Sequence, residues 1–289
     1  IQAGLSFLEG LGRVEPLFRF QAVRSMLIRA GLWAALLTGA GVYSLIAEPV
    51  VMILAGVLWL RGPQGAPVRA AWVRPPAPIR WRDDVWPLQA PIALSTFTGY
   101  LPYGLLVPTA YAFLGPVPSG QLGMTMALVT ALSGGAFAFV SPRIPRMAMA
   151  AARGEAARVG AEMRRVILLA GGVYMAGAVL AVLGLIAAIR LDVALTARLA
   201  DPLVFSVLAA ALGLRLAGEL LRVHTRTWQS DALWPAALVD LGAIALILPA
   251  AQHSLYALAG AFFAENLLFG LAAVWCWQRW MAQRWMAQR

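Results

Sequence analysis

Residues Val166–Ile189 read VILLAGGVYMAGAVLAVLGLIAAI, a run without a single charged side chain. A transmembrane helix needs about 20 mostly apolar residues, so this run is long enough to cross a bilayer. The whole chain has the same character, since 61% of its 289 residues are hydrophobic, 12% are charged and the mean hydropathy is +0.75. A soluble domain is about 45–50% apolar and about 25% charged. The composition therefore excludes an ordinary soluble enzyme and predicts an all-α, polytopic membrane protein.

Eight apolar segments follow one another along the chain, and we expect them to form a transmembrane helix bundle of eight spans. They are Met26–Gly41, Val42–Leu60, Val85–Val107, Gln121–Val140, Val166–Ile189, Pro202–Leu221, Leu233–Pro249 and Leu255–Trp277. Prolines interrupt the third span, and proline frees backbone carbonyls that must face protein or water inside a membrane. We therefore expect the third span to line a cavity.

The arginines between these spans are distributed very unevenly. The segments on one side hold 20 of them, the segments on the other side hold only Arg190 and Arg198, and Arg215 lies inside a span. Cytoplasmic segments carry such an excess, so we predict that both ends of the chain face the cytoplasm. A basic chain can also bind nucleic acid. Here the arginines lie between apolar runs, and we expect no nucleic-acid partner.

One arginine-rich segment, Pro145–Arg165, is predicted to form a helix, which either lies on the membrane surface or is a plain solvated connector. Within it, Glu155 and Arg158 are spaced three residues apart and are expected to form an ion pair.

The chain has none of the short motifs of soluble enzymes. The sequence contains no P-loop, GxGxxG, HExxH or CxxC pattern, and its one cysteine, Cys276, excludes an internal disulfide. The adjacent Asp83 and Asp84 resemble the metal-binding aspartates of membrane prenyltransferases, but a loop or N-cap role at the next helix is the simpler interpretation. We predict that the protein is not an enzyme and has no cofactor or metal.

The informative residues are ionisable side chains inside the spans. A charge at the bilayer centre costs about 2.5–3.5 kcal/mol on insertion scales, so each needs a partner or a water-filled cavity. The candidate substrate-binding or ion-binding residues are Asp240, Glu265, Asn266, Arg215 and Glu219. Arg215 and Glu219 can also be a self-contained structural pair at i, i+4. Asp240 and Glu265 can equally form interhelical hydrogen bonds to a Ser, Thr or Arg.

Short motifs that contain polar residues lie at or near the ends of the spans. They are Leu8–Arg13 (LEGLGR), Gly39–Leu45 (GAGVYSL), Gly120–Thr125 (GQLGMT) and Gly218–Arg222 (GELLR). Their spacing resembles helices five to twelve of the multidrug/oligosaccharidyl-lipid/polysaccharide exporter superfamily, in its O-antigen and polysaccharide flippase branch. The resemblance implies a two-lobe fold without its first four helices. Residues 1–60 would be a remnant of the N-terminal lobe, 61–84 a cytoplasmic linker and 85–289 a C-terminal six-helix lobe.

The resemblance also implies a function. A flippase of this kind moves a lipid-linked oligosaccharide, a glycan on a polyprenyl diphosphate, across the bacterial cytoplasmic (inner) membrane by alternating access during polysaccharide, O-antigen and lipopolysaccharide biosynthesis. The expected partners are this substrate, membrane lipids and a coupling proton or cation near Asp240 or Glu265. The alternatives are a drug or small-molecule exporter of the same fold, a membrane-embedded glycosyltransferase or prenyltransferase, and a non-transporting scaffold. The enzyme alternative needs clustered acidic residues at a membrane face, and the outer segments lack them.

Overall fold

A computed structural model describes residues 14–73 and 80–287 of the chain. Within these ranges the regular secondary structure is entirely helical, which confirms the predicted all-α class. The segment Leu8–Arg13 named above lies outside the described residues, and so do Arg74 and Arg289, two of the 20 arginines counted on the arginine-rich side.

We number the α-helices in chain order. They are α1 (Val14–Leu37), α2 (Ala47–Arg61), α3 (Ala66–Val73), α4 (Trp86–Leu114), α5 (Pro116–Phe137), α6 (Ile144–Ala152), α7 (Ala156–Arg190), α8 (Pro202–Arg226), α9 (Ala237–Ala251) and α10 (Leu255–Ala287). Each of the eight predicted spans overlaps one of the longer helices. Helical turns precede three of them: a 3₁₀ turn over Gly41–Ile46 before α2, a π-helical turn over Trp81–Val85 before α4 and a 3₁₀ turn over Trp234–Ala236 before α9.

Six helical segments in the described ranges are long and apolar enough to cross a membrane. They are Gly41–Arg61, Pro116–Ala152, Ala156–Arg190, Pro202–Arg226, Trp234–Ala251 and Leu255–Arg284. Helices α1 and α4 are not among them. Helix α1 carries Arg19, Arg24 and Arg29, and α4 is rich in Pro, Thr and Tyr. The six segments indicate a membrane protein, and the count of eight spans stays a prediction.

The chain divides into two compact units, Ile1–Ile79 and Arg80–Arg289. In the first unit, α1 packs against α2. Its small apolar core is built around Trp59 and Val68, and the ring of Phe20 lies 5.2 Å from that of Trp59.

The second unit is organised around α8, which packs against α5, α7 and α10. Its main core is apolar, with Phe205, Leu208 and Leu212 of α8 among the buried side chains. Helix α9 packs between α4 and α10. Helix α4 remains one continuous helix despite three internal prolines, because packing against α5 and α9 supports it. The cavity expected along α4 stays a prediction.

The helix predicted over Pro145–Arg165 is interrupted, and the segment belongs to two helices. Helix α6 ends at Ala152 and α7 begins at Ala156, because Gly154 adopts a φ of +74°, a left-handed conformation that glycine accepts readily. The second part of the segment therefore belongs to α7, a long helix that continues through the predicted span. The predicted ion pair is present, with 3.0 Å between Arg158 Nη1 and Glu155 Oε2.

Candidate functional site

The candidate site is built around one arginine at the middle of α8. The Arg215 side chain is only 8% exposed, and the carboxylate of Asp240 on α9, with no exposed surface, faces it. The two groups form a bidentate ion pair, with 2.6 Å from Nη1 to Oδ1 and 3.1 Å from Nη2 to Oδ2. This fork geometry is the strongest pairing available to an arginine and offsets the cost of burying both charges.

A second buried carboxylate, that of Glu265 on α10, completes the group of buried charges. Its Oε1 atom lies 3.5 Å from Arg215 Nη1, a longer contact than either bond to Asp240. Its Oε2 atom accepts a hydrogen bond from the Asn266 side-chain amide, which also donates to the carbonyl of Phe262 at 2.8 Å. The other amide atom, Asn266 Oδ1, is buried and has no hydrogen-bond partner among the described residues.

Glu219 lies one turn along α8 and connects this group to the protein surface. Its Oε1 atom is 3.3 Å from Arg215 Nε and accepts a hydrogen bond from Arg222 Nη1 at 2.8 Å. The Glu219 side chain is 31% exposed, so it is the most accessible of the carboxylates around Arg215. The ring of Phe269 lies under both guanidinium groups, 4.0 Å from Arg215 Cζ and 5.3 Å from Arg222 Cζ.

Two glycines allow the surrounding helices to approach this closely. A Cβ atom at Gly99 of α4 would overlap Nη2 of Arg215 and would lie 3.3 Å from Oδ2 of Asp240. A Cβ atom at Gly218 of α8 would overlap the ring of Phe269. Helices α4, α8, α9 and α10 therefore all contribute to one enclosed polar cluster, which we call the Arg215 network.

All five candidate residues predicted from the sequence meet in this network. The ion pair between Arg215 and Glu219 is present, but Asp240 is the closer partner of Arg215. The interhelical alternative described for Asp240 and Glu265 is therefore present, with Arg215 as the shared partner. A role of these residues in binding a substrate or an ion stays a prediction.

The sequence analysis missed a second polar cluster, at the end of α8. The Arg226 Nη2 atom lies 3.0 Å from Oδ2 of Asp231 and donates at 3.0 Å to the hydroxyl of Ser95 on α4. The same hydroxyl donates to Asp231 at 3.1 Å. Asp231 lies in the loop after α8 rather than in a span, so its position in the sequence gave no reason to expect a buried carboxylate.

One signal in the sequence could have found this cluster. Arg215, Glu219, Arg222 and Arg226 recur at intervals of four, three and four residues, which places them on one face of α8. The face forms a polar line from the buried Arg215 network to the end of the helix.

The sequence indicates a loop or N-cap role for Asp83 and Asp84; they lie in the π-helical turn Trp81–Val85, and neither is the N-cap of α4. The N-cap position of α4 is occupied by Val85, without a side-chain cap hydrogen bond. The π-helical turn delays the start of α4 until Trp86, and Pro87 then fits the first helical turn because its missing N–H needs no partner there. Of the residues that the structure describes, no three or more His, Cys, Asp or Glu side chains are grouped so that they could hold a metal ion.

Comparison of the chain with known proteins gives no relative. No family model, no curated protein and no solved structure matches it. The fold and the site together define an all-α membrane protein with a buried ion-pair network between its helices.

Proposed function

We propose that this chain functions as a flippase that moves a lipid-linked oligosaccharide across the bacterial cytoplasmic membrane by alternating access. The observation that carries the proposal is the Arg215 network, which is buried between helices apolar enough to cross a membrane. Charges inside spans are expensive, and they mark substrate, ion or proton paths in transporters. The resemblance of the short motifs at or near the ends of the spans to those of flippases supplies the substrate class.

Within the network, Asp240 and Glu265 have different roles in this proposal. Asp240 makes both of its strong bonds to Arg215 and keeps that guanidinium in place. Glu265 is held less closely, at 3.5 Å, so its carboxylate is the one that can change state while the Arg215–Asp240 pair persists. We assign to Glu265 the coupling proton or cation, bound when the site opens to one side and released when it opens to the other.

The polar face of α8 provides a path to this carboxylate. Glu219 is partly exposed, and Arg222 and Arg226 continue the line to the end of the helix. In this proposal a proton or cation enters or leaves along the line, while arginines at the same end hold the substrate diphosphate through charge-assisted hydrogen bonds.

The proposal is tested with the full-length protein in proteoliposomes that contain a fluorescent lipid-linked oligosaccharide. Flipping is measured as the glycan fraction that an impermeant quencher reaches, with and without an imposed ion or pH gradient. Glu265→Gln and Asp240→Asn are compared with Glu162→Gln, which makes the same chemical change outside the Arg215 network. We expect the gradient to accelerate flipping by the wild-type protein and by the Glu162→Gln variant. We expect it to have no effect on flipping by the Glu265→Gln variant.

Two results would overturn parts of this proposal. Wild-type flipping with unchanged gradient dependence in both Glu265→Gln and Asp240→Asn would make the carboxylates structural. Export of small dyes without movement of the oligosaccharide lipid would replace the flippase by a small-molecule exporter.

A further inference from the structure

Two cavities outside the Arg215 network adjoin on the second unit, and together we call them the groove. The larger, of about 790 Å³, lies between α7, α8 and α10, and the smaller, of about 600 Å³, lies where the arginine-rich ends of the same helices meet. Both are lined by Ile167 of α7 and Leu221 of α8, so the two cavities adjoin at these residues. We call the larger part the apolar arm and the smaller part the basic end.

The basic end presents two arginines to whatever occupies it. Arg284 is stacked on indole rings, 3.5 Å from the centroid of Trp228 and 5.5 Å from that of Trp280, and Arg164 lines the facing wall from α7. In the part of the chain that the structure describes, neither arginine forms an ion pair with a carboxylate. The basic end therefore offers unneutralised positive charge beside flat aromatic surfaces.

The rest of the basic end is fixed by hydrogen bonding. The indole N–H of Trp277 donates to Nδ1 of His224 at 3.0 Å, which holds both rings in the wall of the cavity. Because Nδ1 of His224 accepts this hydrogen bond, that nitrogen carries no proton. The positive charge of the basic end therefore comes from Arg164 and Arg284.

The apolar arm is long enough to hold a hydrocarbon chain. Its wall on α7 runs from Ile167 to Leu183, which is about 24 Å at 1.5 Å per residue. That length exceeds half of the roughly 30 Å hydrocarbon core of a bilayer. The Tyr174 hydroxyl in this wall already donates to the carbonyl of Ala209 at 2.6 Å, so it needs no partner from a ligand.

We propose that the groove binds a membrane phospholipid with a net negative phosphate headgroup. The phosphate sits between Arg164 and Arg284, and an acyl chain lies in the apolar arm. Charge complementarity at one end and a continuous apolar channel at the other fit such a lipid and would leave most of the site empty around a free phosphate. The proposal concerns a resident bilayer lipid and does not depend on the transport activity.

The test uses the full chain, purified in detergent, and phosphatidylglycerol that carries a photoactivatable group on its acyl chain. After illumination and digestion, we expect labelled peptides from α7 and α8 along the apolar arm. Unlabelled phosphatidylglycerol should compete. Phosphatidylcholine and inorganic phosphate should compete about tenfold less well, a difference of about 1.4 kcal/mol. Equal competition by inorganic phosphate would overturn the assignment of a lipid.

Variants separate the two ends of the groove. Arg164→Gln with Arg284→Gln should weaken labelling about tenfold, which is about 1.4 kcal/mol, whereas Arg146→Gln removes an exposed arginine outside both cavities and should change nothing. Ala217→Trp, at an exposed position of the apolar arm, should block labelling although both arginines remain. Labelling spread over all apolar helices, and unchanged in these variants, would overturn the proposal.

Discussion

Arg215 can be buried because several groups share its charge. It has a bidentate bond to Asp240, a longer contact to Glu265, an ion pair with Glu219 and an aromatic face beneath it from Phe269. The net stabilisation from such buried pairs is small, since desolvation cancels most of the attraction. Removal of one partner is different, because it leaves an uncompensated charge in an apolar interior.

We therefore predict a strong asymmetry between single and double substitutions. Arg215→Met leaves two buried carboxylates without a cation and should lower the free energy of unfolding by about 3–5 kcal/mol. The double variant with Arg215→Met and Asp240→Leu should have a smaller decrease in the free energy of unfolding than Arg215→Met alone. The measurement is denaturant unfolding in mixed micelles.

The matched control is Arg146→Met, at an exposed position, which should change the free energy of unfolding by less than about 0.5 kcal/mol. If the loss in the free energy of unfolding of the double variant equalled the sum of the losses of Arg215→Met and Asp240→Leu, Arg215 and Asp240 would not interact.

At this scale the sequence predicted the members of the network and the pair between Arg215 and Glu219, but not that Asp240 is the closer partner of Arg215. The cost of a charge inside a span singled out Asp240, Glu265 and Arg215. The choice of partner depends on how far each helix is rotated and shifted against the next, and local sequence does not encode that. The same limit hid the pairing of Ser95 with Asp231, which are 136 residues apart.

Helix α4 shows how one small residue sets the distance between helices. Its three internal prolines predict an irregular segment, yet packing against α9 and α5 maintains a continuous helix. Gly99 is the position where α4 meets the Arg215–Asp240 pair, and it has no room for a side chain. Tertiary packing here prevails over the local preference of the sequence.

Gly99→Ala should therefore push α4 away from α8 and α9. We expect a loss of about 1–3 kcal/mol in the free energy of unfolding, as for other overpacked interiors. Gly184→Ala on α7 is the control, because a Cβ atom there meets nothing within 4 Å. That variant should be neutral or gain up to about 1 kcal/mol from helix propensity. Equal stability of the two variants in the same unfolding assay would contradict the close approach at Gly99.

At the scale of the whole molecule, the arginines of the second unit gather at one end of its helices. The arginine-rich ends of α7, α8 and α10 line one cavity beside Trp228, and the opposite loops carry Arg190 and Arg198. The long apolar runs made the helices predictable from the sequence. The break at Gly154 was missed because the pattern of apolar residues continues across it.

The predicted orientation can be measured directly in cells. In a Cys276→Ala background, Ala194→Cys places a thiol in an exposed position of the loop after α7, and Arg146→Cys places one at the arginine-rich end. An impermeant maleimide added to intact cells should label the first and not the second, because arginine-rich segments stay in the cytoplasm. Labelling of Arg146→Cys but not of Ala194→Cys would reverse the orientation.

The bidentate bond between Arg215 and Asp240 also restricts how this protein can evolve. A lineage that changes either residue alone must pass through a variant with an unpaired buried charge. A lineage that changes both loses much less stability, since an apolar pair of similar volume is tolerated in a buried position. The two positions are therefore expected to be inherited as one unit, and related sequences should hold either both charges or neither.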